Sequence, residues 1–487
     1  MNSLHVKEIA FKEIERIFFE IGCEVSRKLL ENFLAAMNKE LNDSRDKKTL
    51  RHKGNRTTVI KTLMGEVEVK RSMYKKVSEA GEVGYVYLLD KALGMETIGN
   101  ISPNLVEKIL DNICEMSYRE VSKAITGLTN QSISHQGVWN VVKVAGERQQ
   151  DAEKDLVETY ERQELSGEKE VPVLFEEADG VWLSMQGKDR RWSSKGKREM
   201  KVGVVYEGWE KRYPLSKEYR TVGKMAYAGY VDAEEFKAIR DASVAEKYNT
   251  DEIRYRILNG DGAKWIVSGH DTEECIFQLD PYHLSKNVIR NVSDKRSRGH
   301  ILRWLKAGEF EKAFKKLEEL KYESGGEEKE IKKLITLEGY IRNNIDGIVS
   351  YKEREGVEIP KAPEGMEYRN LGTMERNVNT FVQRMKNGKS WSIEGATNLS
   401  KIIALKIGEG FNDKIASLVS GKVSERLRNR FNEAIEVTKD NIDKAVKKSV
   451  YPMQRGEIPF TGSKMTYSRR GIRNIVNLKP FSEIPYK

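Results

Sequence analysis

The sequence predicts a multidomain α+β protein whose core is a single mixed β-sheet, interrupted by an all-helical insertion and preceded by helices. Its 487 residues, 38% of them hydrophobic, are enough for several buried cores. Residues 171–296 hold short strand-like apolar runs, and the later runs alternate with helical segments. Residues 6–41 and 298–356 instead repeat apolar residues at helical spacing. Together these patterns favour helical regions on either side of a sheet domain.

The composition sets limits on partners and compartment. Lysine and arginine number 85 against 75 acids, a net charge of +10 that fits a polyanionic partner without requiring one. Cys23, Cys114 and Cys275 are too far apart for a Cys-x-x-Cys metal clip, so we expect reduced, buried thiols in a cytoplasmic protein. No apolar run resembles a signal peptide or a membrane span, which favours a soluble protein without a membrane partner.

Residues 1–95 are predicted to form a module of N-terminal helices and a β-hairpin, serving oligomerisation or DNA contact. The apolar spacing over 6–41 indicates an amphipathic helix or pair of helices, suited to packing or self-association. A basic stretch follows at 45–56, and residues 57–74 then alternate around Met64 and Gly65 as a hairpin would. A small sheet with a solvated basic rim and a DNA-binding surface both remain open.

Residues 96–155 favour a helix-turn-helix-like DNA-binding region. Ser102 is placed to cap a helix whose first residue is Pro103. Residues 116–125 and 134–143 then predict two short helices joined by a polar connection, and an ordinary helical hairpin is the alternative. In a helix-turn-helix the second helix enters the major groove, and the residues that would face the bases are Ser134, His135, Gln136, Asn140 and Lys143. Residues 156–170 are the predicted linker.

The order of elements in the sheet domain is informative. Strands are predicted at 173–178, 181–186, 200–206, 213–222, 254–258 and 275–279, and helices at 233–247, 264–268 and 282–292. Antiparallel strands first, then strands that alternate with helices, is the order of the ribonuclease-H-like fold. We divide this core into 171–296 and 361–450, separated by the helical insertion 297–360. A basic C-terminal arm follows at 451–487.

Three acids are candidates for a shared metal site. Asp179 lies between strand-like runs at an Asp-Gly pair, which we interpret as a turn, and Asp261 ends a second run at another Asp-Gly pair. Glu375 falls in the first turn of a helix expected to begin near 372 or 373. Phosphodiester chemistry often uses two divalent ions ~3.5–4 Å apart. Mg²⁺ prefers carboxylate ligands, so these acids suit two Mg²⁺ or Mn²⁺ ions.

A basic segment around one tryptophan lies beside the first of these acids. Phosphates would be neutralised by its cations while the indole stacks on an exposed base, although a solvated hairpin loop is the alternative. Its candidate DNA-binding residues are Lys188, Arg190, Arg191, Trp192, Lys195, Lys197 and Arg198.

Four sequence blocks carry a family resemblance. They are 186–190 with 205–208 near the first acid, 259–265 around the second, Asp280-Pro-Tyr-His283, and 372–376 followed by 390–396. In this order they resemble bacterial Mutator-like insertion-sequence transposases with a DDE site, of the ISLre-type branch. Asp280 and His283 match the Asp/Cys-x-x-His signature of the wider group.

The resemblance implies catalytic and metal-binding roles for Asp179, Asp261 and Glu375, with two ions per active site. It also implies that His283 contacts the scissile phosphate or steadies an acid, and that Asp280 supports the metals. The helical segment between the second Asp and the Glu is implied too. Glu394 is an alternative third acid, although a first-turn carboxylate is also what a helix dipole favours.

The implied activity is DNA transposition. The enzyme would bind the terminal inverted repeats of its element, cleave one phosphodiester at each end, and join the freed 3′ hydroxyl to target DNA. It would act on double-stranded DNA in the cytoplasm, at the nucleoid, as at least a homodimer joined by its N-terminal helices. The alternatives are a non-catalytic helix-turn-helix regulator with a nuclease-like domain, and a plain metal-dependent nuclease.

Overall fold

The computed structural model describes residues 11–77, 83–94, 98–192, 194–267 and 275–419. The chain divides into two compact units, one comprising 1–87 and 96–420 and the other 88–95 and 421–487. Within the second unit a single short helix, α2 (Leu88–Leu93), is described. The basic arm predicted at 451–487 lies outside the described residues. All that follows concerns the first unit.

A long helix and a small sheet begin the first unit. Helix α1 (Phe11–Ser44) is one helix, and strands β1 (Leu50–Thr62) and β2 (Gly65–Val77) form an antiparallel hairpin around Met64 and Gly65. The predicted hairpin is thus confirmed, and it extends to include the basic residues 51–56. Strand β3 (Val83–Tyr87) adds a third strand that sequence patterning did not reveal, because its burial is slight.

Three helices follow the small sheet: α3 (Pro103–Ile113), α4 (Tyr118–Leu128) and α5 (His135–Glu161). Ser102 caps α3 and Pro103 is its first residue, as predicted. Ser134 Oγ accepts a hydrogen bond from the Gly137 amide and so fixes the start of α5, which runs for 27 residues. The helix-connection-helix pattern is confirmed, but the second helix is not the short one predicted over 134–143, because α5 continues to Glu161 and so occupies the start of the predicted linker 156–170. These helices share one hydrophobic core with the central sheet.

The central sheet is mixed, as predicted. It consists of β4 (Val173–Met185), β5 (Lys197–Tyr206), β8 (Met225–Gly229), β9 (Tyr255–Gly260) and β10 (Cys275–Leu279), with the two-residue strand β12 (Ser390–Trp391) paired to the end of β4. The strand order is β10-β9-β4-β5-β8, in which β10, β9 and β4 are parallel, while β5 is antiparallel to β4 and β8 is antiparallel to β5. A separate small sheet holds β6 (Gly208–Lys211), β7 (Tyr219–Val222) and β11 (Met366–Glu367). The strand predicted over 213–222 is present only as β7, and it belongs to this small sheet instead of the core sheet.

The turn predicted at Asp179 and Gly180 is also wrong. Strand β4 passes straight through both residues, which pair with Val202 and Lys201 of β5. A larger residue at position 180 would collide with the neighbouring strand β5, because its Cβ would come 2.1 Å from Glu199 Oε1. Gly180 therefore makes room for a carboxylate.

Helices cover the central sheet and form the insertion. Four helices each follow a strand of the central sheet in the sequence. They are α6 (Gly187–Arg191), α7 (Ala233–Lys247), α8 (Lys264–Val267) and α9 (Pro281–Asn291). The insertion contains α10 (Lys295–Lys306), α11 (Phe310–Glu323), α12 (Glu328–Asn343) and α13 (Ile345–Ile348), which share a hydrophobic cluster with Leu279 of β10 and with α9. Last come α14 (Met374–Met385), strand β12 (Ser390–Trp391) beside β4, α15 (Ile393–Ile407) and α16 (Phe411–Val419). Across the described ranges, no helix is both long and apolar enough to cross a membrane.

Candidate active site

Strand register brings three aspartates to one edge of the sheet. Glu177 of β4 pairs with Asn259 of β9, so Asp179 lies level with Asp261, two residues further along each chain. Gly260 of β9 pairs with Leu279 of β10, which places Asp280 beside Asp261. Because the three strands are parallel, the three aspartates lie at the same edge of the sheet, where β9 and β10 end, and open α/β sheets commonly bind ligands at this edge.

Hydrogen bonds orient one oxygen of each aspartate. Oδ1 of Asp179 accepts from the Gly180 amide at 2.7 Å, and Oδ1 of Asp261 accepts from the Ala263 amide at 2.9 Å. Oδ1 of Asp280 accepts from the Tyr282 amide and caps α9, while its Oδ2 lies 2.9 Å from His283 Nδ1. Within the described part of the chain, no donor contacts Oδ2 of Asp179 or of Asp261.

Electrostatic coupling between these groups reflects their proximity. Burial raises the pKa of Asp179 to about 6, with further increases from Asp261 and Asp280, although His283 and the Gly180 amide act in the opposite direction. The hydrogen bond with Asp280 raises the pKa of His283, and Asp179 and Asp261 add to that increase. The site therefore favours positive charge among its carboxylates.

Glu199 is a fourth acid that sequence reasoning missed. Burial raises its pKa, and the charge of Asp261 raises it further. Its carboxylate lies over Gly180, next to Asp179 in the sequence. It follows a run of basic residues, which directed attention to phosphate binding, and only the β4–β5 register reveals its position.

Glu177 is a second residue that the sequence did not reveal. Its buried carboxylate accepts hydrogen bonds from Tyr206 Oη, Asn259 Nδ2, Thr373 Oγ1 and the amides of residues 372–374, at 2.5–3.2 Å. It therefore caps the N-terminus of α14 from strand β4, where backbone amides favour an anion. Since side chains alternate along a strand, Glu177 and Asp179 lie on the same face of β4.

Glu375 lies in the first turn of α14, as predicted, but its side chain is exposed. It lines a shallow surface cavity with Gly372, Arg376, Val378, Asn379 and Val382. Over the ranges that the structure describes, no three His, Cys, Asp or Glu side chains form a group that could hold a metal ion. The structure thus brings Asp179, Asp261, Asp280 and His283 together and leaves the Glu375 carboxylate outside them.

The alternative third acid is held elsewhere. Glu394 lies in the first turn of α15, and its Oε1 is 2.7 Å from Nζ of Lys143 on α5. Lys143 also lies near Glu147 and over the ring of Trp139. The candidate base-reading lysine and the alternative acid are therefore paired with each other.

The other candidate DNA-binding residues are on the surface. Ser134, His135, Gln136 and Asn140 are exposed on the first turns of α5, with Gln136 Nε2 donating to Asn140 Oδ1 at 3.3 Å. The basic segment forms α6 and a short 3₁₀ turn before β5, and its cations lie at the surface, with Trp192 85% exposed. Asp189 of α6 accepts from the Ile393 amide at 2.9 Å, which ties this segment to α15.

Comparison with known proteins identifies relatives. The model of an uncharacterised protein family (UPF0236) matches residues 4–418. A UPF0236 protein of Caldanaerobacter subterraneus subsp. tengcongensis is 30% identical over 348 residues, covering 70% of this chain and 66% of the relative. A second, named for eleven loci of the same strain, is 29% identical over 82% of this chain and 78% of its own length. A protein of Streptococcus gallolyticus, described as lying in the vanSb 3′ region, is 26% identical over 69% of this chain and 70% of its own length.

Proposed function

This chain belongs to the uncharacterised protein family UPF0236, and we propose that it is a DDE transposase of a bacterial insertion sequence. It would bind the terminal inverted repeats of its element and catalyse metal-dependent DNA strand cleavage and strand transfer. The observation that carries this proposal is the row of Asp179, Asp261 and Asp280 across three adjacent parallel strands, with His283 beside them.

The sheet supports the proposal. Its first strand, β4, is central, the antiparallel pair β5 and β8 lies on one side, and β9 and β10 are parallel to β4 on the other. That arrangement is the one expected of a ribonuclease-H-like core. The helical insertion between β10 and α14 occupies the position that the resemblance implies, and Tyr340 of α12 donates to the Asp261 carbonyl at 3.0 Å.

The carboxylate oxygens of Asp179 and Asp261 are of the ligand type that hard divalent cations prefer. Oδ2 of Asp179 and of Asp261 have no hydrogen-bond donor in the described chain, and burial raises the pKa of Asp179 to about 6, with further increases from the charges of Asp261 and Asp280. Mg²⁺ or Mn²⁺ bound there would activate the attacking oxygen and stabilise the leaving 3′ oxygen. Glu375 would complete the ligand set after its side chain turns inward. His283, oriented by Asp280, would donate to the scissile phosphate.

Exposed surfaces supply the DNA contacts of the proposal. The first turns of α5 carry Ser134, His135, Gln136 and Asn140 for the major groove. The segment around Trp192 would hold the phosphate backbone near the site with its six cations. In-line displacement needs no covalent protein intermediate, so no Ser or Tyr nucleophile is required. Joining two ends requires at least a dimer.

The relatives add support of a different kind. One is named for eleven loci of a single strain. Many copies of one gene in one genome are typical of a protein that moves its own coding DNA. This feature favours an insertion sequence over a chromosomal regulator, which would be encoded once.

One observation favours a second candidate function, a non-catalytic DNA-binding regulator. The Glu375 carboxylate is exposed, and the described residues hold no ready-made group of three metal ligands. A helix-turn-helix-like region on a core of this kind would still bind DNA without cutting it.

The test is cleavage of a labelled duplex bearing the element's own end, with Mg²⁺ or Mn²⁺. Wild type is compared with Asp179→Ala, Asp261→Ala, Glu375→Ala and Glu394→Ala. We expect the first three variants to lose cleavage while Glu394→Ala retains it. Strand transfer is followed by supplying an end with a free 3′ hydroxyl and a target duplex.

Each outcome discriminates between the candidates. Cleavage without transfer would indicate a plain nuclease. Binding of the duplex by all variants without cleavage by any, wild type included, would favour the regulator. Loss of activity in Glu394→Ala but not in Glu375→Ala would reassign the third acid.

A further inference from the structure

Helix α1 carries an apolar stripe that nothing in the described structure covers. Eight large apolar side chains of α1 are between 40% and 78% exposed, and seven of them form one contiguous apolar stripe of the kind that marks an interaction site. The seven are Phe11, Ile14, Ile17, Phe18, Ile21, Val25 and Leu29. From Phe11 to Leu29 the stripe extends ~27 Å along the helix.

The opposite side of α1 already has a partner. Glu31 accepts from the Glu68 amide, Arg27 donates to the Glu66 carbonyl, and Asn38 accepts from the Ser72 amide, all along one edge of β2. Cys23 and Leu34, on this same side of the helix, are buried. At ~100° per residue this side is about half a turn from the exposed stripe. The exposed residues are therefore a second face of α1, with no role in covering the edge of β2.

The spacing of the stripe indicates what would cover it. Phe11, Ile14, Phe18, Ile21 and Val25 alternate steps of three and four residues, the a and d pattern of a coiled coil. The next positions in this pattern are Lys28 and Asn32, where the apolar seam ends. We name Phe11, Ile14, Phe18, Ile21 and Val25 the α1 seam. Such a seam packs against another helix that has the same repeat.

Charge decides between possible occupants of the seam. Residues 11–29 contain four cations and four carboxylates, so this segment is neutral on a chain of net charge +10. Because the four acids offset the four cations, the segment offers no net electrostatic attraction to DNA or to anionic lipid. A second copy of the neutral segment meets no net repulsion. It also presents the same apolar seam.

We propose that α1 is a homodimerisation helix, in which two copies of the chain pair through their α1 seams. A two-fold axis would let the same residues serve both partners, as in most homodimers. The purpose of this dimer rests on the proposed function, since joining two DNA ends requires two active sites. Its existence does not depend on that function and is measured without DNA or metal.

The experiment is sedimentation equilibrium of the full chain over a range of concentrations. The seam variant combines Phe18→Glu with Ile21→Glu. The matched control is Phe19→Glu, because Phe19 is 50% exposed and adjacent in sequence but lies outside the seam. Circular dichroism and thermal unfolding of each variant show whether the fold is retained.

We expect wild type and Phe19→Glu to sediment at twice the chain mass, and the seam variant at the chain mass with an unchanged fold. A monomeric wild type at every concentration would overturn the proposal. So would a dimeric seam variant, or equal dissociation of both variants. Loss of end cleavage in a protein that remains dimeric would count against the proposed function alone.

Discussion

At the scale of single residues, three acids of β4 divide structural and chemical roles between them. Glu176 faces one side of the sheet, where Arg256 and Arg240 lie 2.6 and 3.2 Å from its oxygens. Glu177 faces the other side and caps α14. Asp179, two residues further on, shares the face of Glu177, and no cation of the described chain is bonded to its carboxylate. The two neighbours of the proposed catalytic acid therefore hold structure on both faces of the sheet, Glu176 through its ion pairs and Glu177 through α14.

The raised pKa of Asp179 predicts a pH-dependent cost in stability. In the unfolded chain this carboxyl has its ordinary pKa of 3.8, against about 6 in the folded protein, so ionisation destabilises the fold as pH rises between these values. Without divalent ions, we expect Asp179→Asn to be more stable than wild type at about pH 8, by on the order of 2–3 kcal/mol. Urea unfolding in a chelator measures the difference.

The control for this prediction is pH itself. Near pH 4 the carboxyl is almost fully protonated in the folded protein and more than half ionised in the unfolded chain, so the difference between wild type and Asp179→Asn should fall to ~0.5 kcal/mol. Adding Mg²⁺ at neutral pH should stabilise the wild type and leave the variant unchanged. An equal difference at both pH values would show that ionisation of Asp179 is not its cause.

Glu177→Gln is expected to destabilise the protein by on the order of 3 kcal/mol, since the amide that replaces the carboxylate turns a donor towards backbone N–H groups. Hydrogen exchange of the amides of residues 372–374 should become faster. The matched control is Glu394→Gln, also at a first helical turn, where Ser392 already caps the helix. That change should cost less than ~1 kcal/mol, because its ion pair is exposed. Equal losses would refute a capping role for Glu177.

The site residues that the sequence pattern identified belong to local motifs, whereas those that it missed depend on partners far away in the sequence. Asp179 and Asp261 were identified because each belongs to a local pattern, an acid beside a glycine at a strand-like run. Glu177 was missed because its partners lie about 195 residues away, on α14. Glu199 was missed because strand pairing, which sequence spacing does not specify, places it over Gly180. Such contacts become visible only in the folded chain.

At the scale of elements, local signals identified helices and strands better than their pairing. The bounds of α7 and β10 agree with the apolar periodicity, and the start of α14 follows from its position after Gly372. The Asp-Gly pair at 179 favoured a turn, whereas residues 175–184 of β4, on either side of it, pair continuously with β5. The two-residue strand β12 is too short for any periodic signal.

The contact between α5 and α15 predicts the effect of a single methyl group. A Cβ at Gly146 would come 2.5 Å from the Asn398 Cα, which is backbone and unable to rotate away. We expect Gly146→Ala to destabilise the protein by ~1–3 kcal/mol, despite the higher helix propensity of alanine. Chemical unfolding measures the change.

The control is Gly339→Ala in α12, where no atom lies within 4 Å of the new Cβ. That variant should be as stable as wild type or up to ~1 kcal/mol more stable, because propensity alone acts there. If both variants gain stability, the close approach of α5 and α15 is not rigid.

At the scale of the whole molecule, the helical region and the central sheet form one connected core. Arg384 of α14 donates to the Ile113 carbonyl at 2.6 Å, and Gln150 of α5 donates to Asn398 at 2.7 Å. Residues proposed to read DNA and residues proposed to cut it are therefore held on elements that share one core. Sequence reasoning treated them as separate domains, because a core shared between distant segments leaves no local signal.

Net charge alone does not explain the proposed DNA binding, since 33% of all residues are charged and both signs are abundant. If the segment around Trp192 binds phosphates, replacing Lys188, Arg191 and Lys195 by alanine should weaken the salt dependence of DNA affinity. The slope of log affinity against log salt concentration should fall by about 0.9 for each phosphate that is no longer neutralised. The matched control replaces Lys315, Lys329 and Lys332, exposed residues of the helical insertion, and removes the same charge. Its slope should stay near that of wild type. Equal reductions would mean that DNA responds to the total charge of the protein, and the DNA-binding surface would have to be sought outside this segment.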